Sequence, residues 1–479
     1  MYLVTLCRIT PWSIMTSAAD IWYLNMWWRS RIISVEGDVS SLPDLHIGKV
    51  VFNPITITLD NSDSFFNSYF NSTEARGGEL LVRYYNKDDN SVIGLPQYYA
   101  ITDVTITREH CIITGNPYTP GAFDSIIPKA SIQKSIFGDY VDESSIGKPI
   151  STWFGLSNNV PLYSIYEGGT GDDYHHDFLI GYGTIAATTS EVTITRDGVE
   201  ADAGSFTLYD GSQASPYAGY AFVRFDSEQR DGNGNLYDTR IHNLRGVLIG
   251  GAYTFNPVSC FKEFLTNTTW GLGITVDSAT FTSAIAQCNV DLTITNGLYD
   301  FKKASEWIDC FLAACNYSIF AAGENKIYYP SLISTVSATF DNHNATDFQL
   351  RKRSANDYCS TINLHYAHNL KDNTDSVESA STGKSFGIVQ DYYSPFTKEQ
   401  AGANVIATLL KNRYIYQDNV IEFTTGEDGY VLAVGNIISV TLADLGLSDN
   451  QFEIIEIEKS SESVRIKAAS YSHDVFQGT

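Results

Sequence analysis

Alternation of β-branched and aromatic residues with polar ones, at a period of two, is the feature that most constrains what this chain can fold into. Ile55, Ile57 and Leu59 point to one side of a strand, and Thr56 and Thr58 to the other. Residues 80–85, 99–107 and 111–114 repeat the pattern between polar turns at 86–90 and 116–121. A strand with this period buries one face and wets the other. Residues 1–150 therefore read as a mostly antiparallel β domain, the first of two β-barrel-like units. Residues 151–250 are also β-rich, but looser. Runs at 192–195 and 206–209 lead into Asp197-Gly198 and Asp210-Gly211, dipeptides that favour hairpin turns.

The period changes to a helical one at residue 256. Asn256 is a good N-cap with Pro257 behind it, where the missing N–H costs nothing. Asp277 or Ser278 caps a second helix carrying Phe281, Ala284, Ile285 and Cys288 at helical spacing. The third helix is expected to start at Asp300, with Phe301, Ala304, Ile308, Phe311, Leu312 and Cys315 on its apolar face. A hairpin over 317–329 completes a small α/β module at 251–335. Residues 336–479 return to strands as the second β-barrel-like domain. Within it, Thr397 and Gln400 form a capping-box pair ahead of Ala401, Val405, Ala407 and Leu409. Hairpins are expected over 431–442 and 452–468. The predicted fold is mainly β with an α+β insert.

The N-terminal 19 residues are mildly apolar, but Arg8 and Pro11 interrupt them. Ser17-Ala18-Ala19 imitates a signal-peptide cleavage site; the reading favoured is a buried segment, because Trp12, Trp22, Trp27 and Trp28 cluster there. Seven scattered cysteines, an odd number, read as small buried residues of a chain folding in a reducing cytoplasm. The chain carries 31 Lys and Arg against 55 Asp and Glu, a net charge of −24. Sequence-independent DNA binding needs cations to displace phosphate counterions, so this balance argues against it.

Candidate chemistry is scarce. Ser381-Thr382-Gly383-Lys384-Ser385 imitates the end of a phosphate-binding loop, but Glu378 stands where that loop needs Gly. Asp231, Asn233 and Asn235 match the opening of a calcium loop; Leu236 and His242 stand where its Gly and bidentate Glu belong, which favours a turn. His175-His176 sits among Asp172, Asp173 and Asp177, yet adjacent strand residues face opposite ways. Arg351-Lys352-Arg353 is the one basic run of note and reads as a solvated turn. Cys310 and Cys315 lie too deep in a helix face to act as nucleophiles. No catalytic, cofactor-binding or metal-ligating residue is expected, and the chain does not read as an enzyme.

The stretch from Asn256 to Gly273 (NPVSCFKEFLTNTTWGLG) resembles the central tail-hub proteins of long-tailed bacteriophages, the lambda-type tail tip protein among them. An Asn-Pro start, the Leu265-Thr266-Asn267-Thr268 turn and Trp270-Gly271-Leu272-Gly273 lead into a helix bearing Phe281 and Cys288. Ile57-Thr58-Leu59-Asp60-Asn61-Ser62-Asp63 and Val434-Gly435-Asn436-Ile437-Ile438-Ser439-Val440 resemble the first and last barrels of the same family. Ser64 departs from it, replacing the Gly usual after that Asp.

The resemblance implies a structural virion protein at the tail tip, made in the host cytoplasm. It would form a homotrimeric ring whose two barrels per subunit match a six-fold tail. It would close the channel and open it for DNA ejection. Implied partners are the distal tail protein or adjacent tail ring, the tape-measure protein, tail fibres or receptor-binding proteins, phage DNA in transit, and the host outer membrane. The alternatives are a tailspike-like carbohydrate-binding or depolymerising protein, favoured by 62 aromatic residues, and a secreted β-rich enzyme. An acidic channel lining that repels phosphate would suit the hub.

Overall fold

The alternating runs pair as a period of two requires. Ile55, Ile57 and Leu59 are fully buried in the strand Ile55–Asp60, while the threonines between them are half-exposed. This strand pairs with His110–Pro117, which pairs with Ser91–Ile106 and through it with Glu79–Asn86. The computed structural model describes residues 3–23, 26–42, 48–88, 91–118, 121–202, 204–214, 216–316, 318–322, 324–328, 335–354, 358–460 and 462–472.

The apolar N-terminal stretch belongs to this first sheet. Leu3–Ile9 pairs antiparallel with Glu79–Asn86 and with Ile14–Ser17, and Cys7, Ile9, Trp12 and Trp28 are buried. The side chains of Trp22 and Trp27 lie outside the described residues. Nine strands run from Ile21–Tyr23 at one end to Ile32–Glu36 at the other. Among the described residues no ladder joins those ends, so the expected barrel is an open sheet.

A second large sheet orders Val336–Phe340, Ile437–Leu442, Leu447–Lys459, Val464–Ser470, Asn419–Thr425 and Ala345–Lys352. Its two end strands are consecutive in sequence, joined by the turn at 341–344, so the sheet must curl until its ends approach. Phe423 fills the curl, 4.9 Å from Phe340 and 5.1 Å from Phe348 between ring centres. No ladder closes this sheet either among the described residues. Its remaining strands come from the other end of the chain: Asp38–Ser41 pairs with Leu447–Lys459 and with Val51–Phe52. Residues 431–434, expected as a strand, form the exit from a short helix, Glu427–Tyr430. The hairpin expected over 452–468 is present.

Residues 358–416 build a separate core. Cys359–Asn369 lies between Thr374–Ser381, antiparallel to it, and Ile388–Ser394, parallel to it. The helix Gln400–Tyr416 covers one face, packing Ile406, Ala407 and Leu410 on Ile362 and Leu364. The expected capping box is not formed. Thr397 shares a hydrogen bond with the Ser394 hydroxyl at 2.7 Å, and Gln400 donates to Glu378, so neither side chain reaches the helix terminus.

The middle of the chain packs two four-stranded sheets and three helices around one continuous core. The helices are α1 (Pro257–Thr266), α2 (Ser278–Gln287) and α3 (Ala304–Cys315). Asn256 and Asp277 cap the first two, accepting from the Ser259 and Thr280 amides at 3.0 and 2.8 Å. The third helix starts later than expected. Lys302–Lys303 pairs with Ile126–Ile127, which holds these residues extended, and Asp300 accepts from the Phe301 amide instead of capping. Phe301 is consequently exposed. The Asp197-Gly198 hairpin forms between Thr193–Arg196 and Val199–Glu200. Asp210-Gly211 makes no tight hairpin, because Phe206–Tyr209 pairs with Tyr220–Phe225 across a longer loop.

The stretch 256–273 is a helix followed by a loop that folds back on it. The Leu272 amide donates to the Phe264 carbonyl at 2.9 Å. A Cβ on Gly271 would lie 2.2 Å from that carbonyl oxygen, so only glycine fits. The return places Trp270 against Phe154 (5.6 Å), beside Phe311. Phe311, fully buried, touches the rings of Phe154, Phe261, Phe264 and Phe396 at 5.0–5.4 Å. Truncating so enclosed a ring loses its transfer energy and leaves a cavity. Phe311→Ala is expected to cost about 3–5 kcal/mol and Phe311→Leu distinctly less. Urea unfolding followed by tryptophan fluorescence checks both, and equal midpoints for Phe311→Ala and the native chain would refute the core assignment.

Candidate functional site

Three parts of the fold converge on an open cleft of about 500 Å3. The first wall comes from the middle sheets. Tyr163 opens the strand Tyr163–Gly168, and Arg240 lies in Thr239–His242, held by the Asn159 carbonyl at 3.1 Å and by Asp238 at 2.9 Å. The second wall is the segment before α3. Gly297–Leu298 pairs with Thr152–Trp153 and Lys302–Lys303 pairs with Ile126–Ile127, so Tyr299 and Asp300 are pinned from both sides. The Tyr299 ring lies nearly parallel to Trp153 and to His368, 6.2 and 6.3 Å away. Lys302 places its ammonium 4.9 Å over Trp307.

The third wall is the three-stranded sheet. Parallel register sets His365 beside Tyr393, whose rings stack at 4.5 Å and 18°. His368 Nδ1 is 2.9 Å from Asp375 Oδ1 across the turn that follows. Burial raises Tyr163 and pushes Tyr299 up to about 12, so both phenols stay protonated and able to donate. None of the lining residues is Ser, Thr or Cys.

The residues singled out in the sequence are committed elsewhere. His176 is buried, 2.8 Å from the Ser164 hydroxyl and accepting from the Gln229 amide, while His175 faces the other way and stacks on Tyr166. Asp177, fully buried, holds Arg224 through two 2.7 Å bonds. The side chain of Asp172 lies outside the described residues. Asp231 closes a turn by accepting from the Asn233 and Asn235 amides at 2.9 and 2.8 Å. The loop 381–385 leads into a strand rather than a helix, and Lys384 lies 5.3 Å over Tyr358. Arg351 and Lys352 pair with Glu422 and Asp418, and Arg353 covers Tyr414. All seven thiols are free, and burial pushes Cys310 up to about 11 and Cys111 and Cys288 to about 12.

The sequence marks none of the cleft residues as functional, and it offers Asp300 only as a helix start. The walls of the cleft come from segments about 60 to 80 positions apart, and single tyrosines and histidines on strands carry no spacing signal.

His176 makes stability pH-dependent. Burial pulls its pKa from 6.5 to about 4, so the folded chain binds fewer protons than the unfolded one between these values. Its contribution is complete above about pH 6.5 and is lost as pH falls towards 4. His176→Gln removes the titration. The stability gap between native chain and variant should narrow by about 2–3 kcal/mol from about pH 7 to about pH 4.5, read as urea midpoints. A gap that does not change with pH refutes the assignment.

No protein-family model matches the chain, and no curated protein does. Among solved structures, it is similar to a tail protein from Neisseria meningitidis MC58, at 6% identity and a TM-score of 0.49, over 100% of this chain and 99% of that one. A chain in the virion of the native gene transfer agent particle is 10% identical, with a TM-score of 0.47 over 70% of this chain and 87% of that one. The 43 kDa tail protein of prophage MuSo2 from Shewanella oneidensis is 9% identical, with a TM-score of 0.43 and full coverage of both chains.

Proposed function

We propose that this chain is a structural tail protein of a phage virion, and specifically the tail hub: a homotrimer that adapts a six-fold tail to a three-fold tip. The observation that carries the reading is the stretch 256–288. In it Asn256 caps the helix, Gly271 permits the return of the chain and Phe281 is buried.

Two large sheets per chain, linked through Asp38–Ser41, supply six such sheets in three copies. Both sheets leave strand edges unpaired among the described residues, and exposed edges seek partners. Ile33, half-exposed on the edge strand Ile32–Glu36, is one such place. Closed symmetry is the usual way to satisfy a repeated edge. In this reading the distal tail protein, the tape-measure protein and tail fibres or receptor-binding proteins contact the ring, and DNA passes through it. The surplus of acidic residues keeps the conduit from holding the DNA.

The purified full chain should run in light scattering as about three times its 53.0 kDa mass, and antibody against it should label the tail tip of particles. Ile33→Lys should shift the mass towards the monomer. A monomeric native chain, absent from particles and able to hydrolyse polysaccharide, would overturn the proposal.

A further inference from the structure

The cleft between the middle sheets, the segment before α3 and the three-stranded sheet has a use that a purely structural role does not require. Tyr393 stacks one ring face on His365 and is nevertheless 61% exposed. A flat apolar platform is thus offered to the solvent, held in orientation from behind. Around it stand charges of both signs: Arg240 and Lys302, Asp300 and Asp375. Asp300 and Lys302 make no ion pair with each other or with any other group among the described residues.

Balanced donors and acceptors beside an aromatic face select among ligand chemistries. A phosphate or another polyanion needs an excess of cations, and two carboxylates cancel that here. An apolar peptide needs an apolar lining, and four charged side chains interrupt this one. A pyranose ring fits both features, because it presents a face of C–H bonds to an aromatic ring and a rim of hydroxyls that both donate and accept. The volume of about 500 Å3 has room for a short oligosaccharide. We infer that this cleft binds a neutral saccharide, stacked on Tyr393, with Arg240, Lys302, Asp300 and Asp375 meeting its hydroxyls. The inference goes beyond the hub reading and does not rest on it.

Isothermal titration of the full chain with maltotriose, cellotriose, chitotriose and mannotriose tests this. At least one should bind with a Kd of about 0.1–1 mM. Tyr393→Ala and Asp300→Asn should each weaken that binding at least about tenfold, roughly the effect of losing one good contact. Both positions are exposed, so the melting temperature and the oligomer mass should not change. Absence of binding by all four sugars at about 10 mM overturns the inference, as does unaltered affinity in Tyr393→Ala. Binding that disappears as salt rises from about 50 to about 500 mM marks an anion site and also overturns it. Oligomer mass and particle labelling are read separately, so failure here leaves the hub proposal standing.

Discussion

A buried carboxylate decides how the two ends of the chain meet. Asp38 lies on a strand that leaves the first sheet and pairs with the C-terminal one, directly opposite Lys459. Its two oxygens accept from the hydroxyls of Tyr84 and Tyr99, both on strands of the first sheet. Lys459 donates to the Tyr430 carbonyl at 2.9 Å and lies 5.6 Å over the Tyr84 ring, which itself packs on Tyr430. Burial raises Asp38 and pulls Lys459 down to about 8. Charges removed from water in this way are costly, and losing either partner leaves the other uncompensated. The arrangement therefore tolerates one register. A slip of one residue in Asp38–Ser41 would turn the carboxylate to the opposite face, away from both tyrosines.

From that junction the rest of the architecture follows. The two large sheets are held together at one side, and their outer strands have an unpaired edge among the described residues. The middle module is organised differently, by a contiguous aromatic core around Phe311 with side-chain caps on two of its helices. Partly buried ion pairs add further ties between elements. Asp177 with Arg224 joins two strands of one sheet, and Arg230 with Glu167 and Asp142 ties the segment after Lys134–Phe137 to the sheet beside it.

Local chemistry was legible in the sequence wherever neighbours in the chain decide the outcome. Asn256 and Asp277 cap helices because their side chains reach amides three residues on, and Asp197-Gly198 turns because both residues accept positive φ. Ser64 belongs here too: it takes φ +59°, the conformation that suits the Gly it replaces. The failures share the opposite cause. Asp300 loses its helix start to a strand pair with residues 126–127, and Thr397 loses its cap to Ser394. Open rather than closed sheets and the exchange of Asp38–Ser41 into the C-terminal sheet are set by pairing across hundreds of residues. No periodicity within a window records that.

The cleft was invisible for the same reason, and its chemistry reflects what the fold leaves over. Most interior charges are committed to holding elements in register, and the thiols are raised by burial beyond ordinary reactivity. What remains at the cleft rim are groups without such duties: Asp300, fixed by its own backbone, and Lys302, resting on Trp307. Asp300 ceased to be a helix cap because the strand pair at 302–303 pulled it out of the helix. The same tertiary contact that defeats the local signal thus frees a carboxylate to face solvent beside Tyr299. A structural constraint inside the middle module in this way creates a polar, aromatic recess on its surface, without any residue having to be spared from the core.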